Sequence, residues 1–120
     1  MNARRTLIVT LLLVLPALAG CRSGEAARRE KCLNNLLQIN EPLNCCIPLE
    51  RKLEAGAEIQ KSDLLEYLRG GVLPRCPSGT EYRIAFVAGG RPVCPVHGDL
   101  LAGVTNVKVF GDKPIYPSEP

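Results

Sequence analysis

The sequence predicts an α+β fold: a kinked N-terminal helix and a short second helix packed on a small antiparallel sheet of about three strands. Three observations point there. Cys32, Leu33, Leu36, Leu37, Ile39, Leu43, Cys46 and Ile47 recur at spacings of three and four, one apolar face of a helix. After Pro74 the rhythm shortens to two, with Tyr82, Ile84 and Phe86 alternating with other residues. Gly89-Gly90 then marks a tight hairpin turn.

The first element is not part of that fold. Residues 1–20 read as a secretory signal: Arg4 and Arg5, an apolar run from Leu7 to Leu15 broken only by Thr10, then Pro16 and small residues. The run is too short to span a bilayer comfortably, which takes about 20 apolar residues. Leu18-Ala19-Gly20-Cys21 looks like a bacterial lipobox. That implies cleavage before Cys21, lipidation of Cys21 (a thioether-linked lipid, with palmitate-type acylation of the new amine) and anchoring to a membrane of the bacterial cell envelope. Residues 21–29 form a small, polar tether, residues 30–110 the folded domain, and residues 111–120 a flexible, proline-rich tail. The formal charge of +3 falls to +1 once Arg4 and Arg5 leave with the leader. With no basic block, no tryptophan and few aromatic residues, nothing favours nucleic acid as a partner.

Within the domain, Asn34, Asn35, Gln38 and Asn40 fall mostly on the face opposite the apolar stripe. Pro42 and Pro48 should break the helix, since each lacks a backbone donor. Asn40 could cap a new segment, and Pro48 could open another that runs from Leu49 to Ala55 and stops at Gly56. The second helix starts at Ser62-Asp63, with Asp63 and Glu66 at capping-box spacing, and ends at Gly70-Gly71. Glu81 to Val87 and Arg91 to Val96 are the hairpin strands, with Ala85 expected opposite Cys94. Gly103 to Phe110 is a candidate third strand.

The order of helix, short helix, Leu-Pro-x-Cys-Pro, hairpin and Cys-x-x-His-Gly resembles the soluble part of pilin-like proteins. These are the prepilin-type, type II pseudopilin-like proteins of planctomycete and verrucomicrobial genomes. Cys32 to Ile39, Asp63 to Leu68, Gly70 to Tyr82 and Cys94 to Gly98 carry the resemblance. It implies an α+β module with a long helix on a small sheet, exported, anchored or assembled, with a structural or binding role and no catalysis. The chain departs from that pattern at its start, where a lipobox replaces the prepilin peptidase motif.

Lipidation of Cys21 leaves Cys32, Cys45, Cys46, Cys76 and Cys94. Export permits disulfides, and Cys76–Cys94 is the expected pair; it requires the chain to fold back at Pro77-Ser78-Gly79. The alternative is a small zinc-binding lipoprotein using Cys76, Cys94 and His97. Cys94-Pro95-Val96-His97 has ligand spacing, and a fourth ligand would have to come from the helix. Without a metal, His97 reads as a polar turn residue. A catalytic Cys–His pair lacks an orienting third group, so no catalytic residue, small-molecule substrate or cofactor is expected. The partners expected are the membrane and an envelope protein.

Overall fold

The computed structural model describes residues 24–119. The expected leader, its expected cleavage site and Cys21 lie outside the described residues. The tether expected at 21–29 is already helical where it is described. Helix α1 covers residues 24–41, with its first residues mostly exposed.

The anticipated break at the prolines is not there. The chain stays helical through a widened π turn, Pro42–Cys46, directly into α2, Ile47–Arg51. The physical reason is in the missing donors. Pro42 and Pro48 cannot close ordinary turns, and the Ile47 N–H instead reaches the Pro42 carbonyl five residues back. Glu41, Cys46 and Ile47 all keep right-handed helical dihedrals. The run ends where Lys52 turns left-handed, at φ 53°.

Helix α3, Lys61–Glu66, follows without a side-chain cap. Asp63 pairs across to Arg51 at 2.7 Å rather than closing a capping box. Gly70 and Gly71, at φ 72° and 67°, end a 3-10 turn, Arg69–Gly71, close to the expected stop.

The expected three-strand sheet is absent. Among the described residues no strand forms, and pairing is confined to isolated bridges: Glu58 with Val87, Arg83 with Val93, Gly90 with Ile115 and Cys94 with Gly98. The hairpin register also differs, since Arg83 rather than Ala85 is the residue that bridges across. The segment around residues 83–90 changes partner every few residues, so no ladder propagates. A tight turn interrupts it as well, with the Val87 N–H bonded to the Ala85 carbonyl at 2.9 Å. At Gly90 an added Cβ would fall 2.0 Å from the Ala85 carbonyl oxygen, so only glycine allows that approach. In place of the third strand, Leu100–Gly103 forms a 3-10 turn that leads into loop. The tail expected to be loose is tied down: Ile115 exchanges backbone hydrogen bonds with Gly89 and Arg91, and the Tyr116 hydroxyl donates to Asp99 at 2.7 Å.

The first helix takes the place of the sheet. Its buried stripe, Cys32, Leu36, Ile39, Leu43 and Ile47, spans two apolar clusters. The lower one adds Ile59, Leu64, Leu68 and Ala88; the upper one adds Cys76, Cys94, Leu100 and Leu101. Tyr82 packs on both. Asn35, Asn40 and Asn44, which polarity alone would turn outward, are buried beside that stripe. Asn44 Nδ2 donates to the Gly90 carbonyl at 2.8 Å, and its Oδ1 accepts from the Phe110 N–H at 3.1 Å. Asn40 donates to the Lys108 carbonyl, and Asn35 to the Arg75 carbonyl. Loops that lack strand partners thus find theirs on α1 and the π turn.

Candidate metal centre

Two loops of similar build face α1. In the first, Cys76-Pro77-Ser78-Gly79-Thr80, the Cys76 N–H bonds to the Thr80 carbonyl and the Gly79 N–H to the Cys76 carbonyl. In the second, Cys94-Pro95-Val96-His97-Gly98, Cys94 and Gly98 exchange both backbone hydrogen bonds. Each proline is followed, within the loop, by a glycine at positive φ: Gly79 at 92° and Gly98 at 79°. Both loops therefore curl tightly around their cysteine. The His97 N–H points at Cys94 Sγ at 3.3 Å, and hydrogen bonding from Ser78 acts on Cys76 in the same sense. Such donors favour sulfur in its thiolate form.

The loops bring Cys76, Cys94 and His97 together, and α1 supplies Cys32. One ligand atom from each of the four lies within 4.8 Å of the others. His97 Nδ1 is 3.4 Å from Cys76 Sγ and 3.6 Å from Cys94 Sγ. A tetrahedral zinc ion with its usual bond lengths sets sulfur and nitrogen ligands about 3.6 Å apart. The donor set, Cys3His, and the spacing both fit zinc. The expected Cys76–Cys94 disulfide is not formed, and all five of Cys32, Cys45, Cys46, Cys76 and Cys94 are free thiols.

The surroundings support the same four groups. Three cysteines here are nearly inaccessible, at 0%, 2% and 1% exposure for Cys32, Cys76 and Cys94. Burial pushes the Cys32 thiol up to about 12, against the lowering effect of the Tyr82 hydroxyl 3.5 Å from its sulfur. For Cys76 burial also acts upward, but the hydrogen bonds from Ser78 and the neighbouring thiols outweigh it and bring the group down to about 7. Three buried sulfurs this close together cannot all ionise unless a cation sits among them. On the far side of the imidazole, Nε2 lies 3.4 Å from Glu25 Oε1, an arrangement that leaves Nδ1 for a metal. Tyr82 is fixed in turn by Asn35, whose Nδ2 is 3.1 Å from the hydroxyl.

Sequence reasoning expected a Cys76–Cys94 disulfide and held Cys76, Cys94 and His97 as zinc ligands only as the alternative, with a fourth ligand on the helix left unnamed. It took Cys32 for one more apolar residue and did not single out Glu25 or Tyr82 as supports. The Cys-Pro pairs and the Cys-x-x-His spacing carried the local signal; nothing local marks Cys32. Comparison with known proteins adds no analogy, since no family profile, curated protein or solved structure matches this chain.

Proposed function

We propose that the protein is a small exported lipoprotein, anchored through Cys21, whose domain is built around a structural zinc site of Cys32, Cys76, Cys94 and His97. Its role is structural or binding, without catalysis. The observation that carries the reading is the convergence of four donors from one helix and two loops at spacings that suit tetrahedral zinc. The burial of the three cysteines supports a structural site, which has no need of an open position for substrate. The lipobox supports the anchor. A domain of this size has a modest core, and a metal that ties α1 to both loops would supply stability that packing alone does not.

The test is metal analysis of protein purified without oxygen or chelator. About one zinc per chain is expected, with Cys32→Ser and His97→Ala each losing most of it. The rival arrangement is the Cys76–Cys94 disulfide, since both sulfurs lie in the same cluster. Zinc-free protein with Cys76 and Cys94 joined in a peptide map would overturn the proposal in favour of that bridge.

A further inference from the structure

With Cys32, Cys76 and Cys94 assigned to the proposed zinc site, the described thiols left over are Cys45 and Cys46, neighbours on the π turn. Both are partly exposed and stand next to each other in the chain. Cys46 opens onto a cavity of about 360 Å³ walled by Gln38, Glu41, Tyr67 and Arg69. Cys45 Sγ lies 3.7 Å from the Lys108 ammonium. That ammonium is held in place on two sides: it pairs with Glu41 at 2.8 Å, and the Lys108 carbonyl accepts from buried Asn40 at 3.0 Å.

These two thiols are poorly placed to oxidise to each other. Consecutive Cα atoms in a trans chain are about 3.8 Å apart, whereas a disulfide spans roughly 4.4–6.8 Å. The helical backbone at Cys46 and its neighbours would have to distort to join them. They are poorly placed for zinc as well. Among the described residues the one group of three or more converging donors is the Cys32 cluster, so Cys45 and Cys46 gain no third ligand. A dithiol without further ligands suits a soft ion that accepts two sulfurs.

We infer that Cys45 and Cys46 form a second metal site, a two-sulfur site for a thiophilic monovalent cation of the Cu(I) class, with Lys108 as its cationic neighbour. Binding exchanges two S–H protons, released to solvent, for two metal–sulfur bonds, with no change in oxidation state. Two thiolates and one monovalent cation leave a single negative charge, and the Lys108 ammonium, shared with Glu41, faces it from the Cys45 side. The side open to the cavity gives the ion its route in and out.

The experiment is a titration of the anaerobic, zinc-loaded protein with Cu(I) held by a chromogenic chelator, following copper and zinc together. One Cu(I) per chain should leave the chelator while zinc stays bound. Cys45→Ser and Cys46→Ser should each weaken uptake by more than about tenfold and keep their zinc, which also shows that they fold. Lys108→Ala should weaken it by a smaller factor. Copper uptake matched by zinc release, no uptake, or serine variants that compete as well as the wild type would each overturn the inference. Because the zinc proposal is read from the metal content before any copper is added, its failure is visible separately. Zinc-free protein that still takes up Cu(I) through Cys45 and Cys46 would leave this site standing alone.

Discussion

Asn44 shows how much a single side chain does in this fold. Its amide donates to the carbonyls of Asn40 and Gly90 and accepts from the Phe110 N–H, all at 2.8–3.1 Å. Truncation leaves the Gly90 carbonyl and the Phe110 N–H without their partner in a site that is 6% exposed. Each buried, unpaired backbone group costs about 1–3 kcal/mol. Asn44→Ala should therefore destabilise the domain by about 3 kcal/mol, read as a lower denaturant midpoint at unchanged slope. Asn44→Asp should recover little of this, since it keeps the acceptor for Phe110 but loses the donor for Gly90. A loss below about 0.5 kcal/mol would mean that the loops do not depend on the helix for their hydrogen bonds.

Between elements, the link from α2 to α3 is the exposed pair Arg51–Asp63. The hydrogen bond from Arg51 holds the Asp63 carboxyl below its ordinary range. A depressed carboxyl contributes stability above its unfolded value, about pH 4, and loses it as pH falls through the lower folded value. Asp63→Asn should flatten that part of the acid-denaturation profile and leave stability at higher pH only slightly reduced, because exposed pairs contribute little. An unchanged profile below about pH 4 would show that the pair does not form in solution.

The same scale explains what the sequence could and could not convey. The apolar stripe of α1 was legible because helical spacing is local, and Cys32, Leu36, Ile39, Leu43 and Ile47 are all buried. The alternation of Tyr82, Ile84 and Phe86 was real too: these side chains pack on the lower cluster. Alternation reports a buried side, though, and not a hydrogen-bonded neighbour, so the sheet inferred from it does not form. Asn35 and Asn40 were misplaced because their partners include backbone groups 40 and 68 residues away. The fourth ligand was hidden for a related reason. A cysteine among leucines at helical spacing is indistinguishable from a small apolar residue until two distant loops arrive beside it.

For the whole molecule, the two proposed attachments, zinc within the domain and lipid at Cys21, are independent and can be separated. Cys21→Ser should abolish lipid labelling and release the protein from membranes, while zinc content stays at the wild-type value. A Cys21→Ser protein that still sediments with membranes and still incorporates labelled fatty acid would refute the anchor. Loss of zinc in the same variant would mean that the start of α1, where Glu25 meets His97, depends on how the chain is attached.

The tail that closes over Gly89–Arg91 bears on how copies of this protein behave when crowded. A free run of backbone N–H and C=O groups is a template on which a second chain can add itself as a strand. Here the Arg91 N–H and the Gly89 carbonyl are taken by Ile115 of the same chain, and Arg83 and Val93 satisfy each other. With isolated bridges in place of strands among the described residues, no long edge is offered for such growth. Clipping the chain before Lys113 would expose the short template that the tail now occupies and open the Gly89–Arg91 backbone to strand addition.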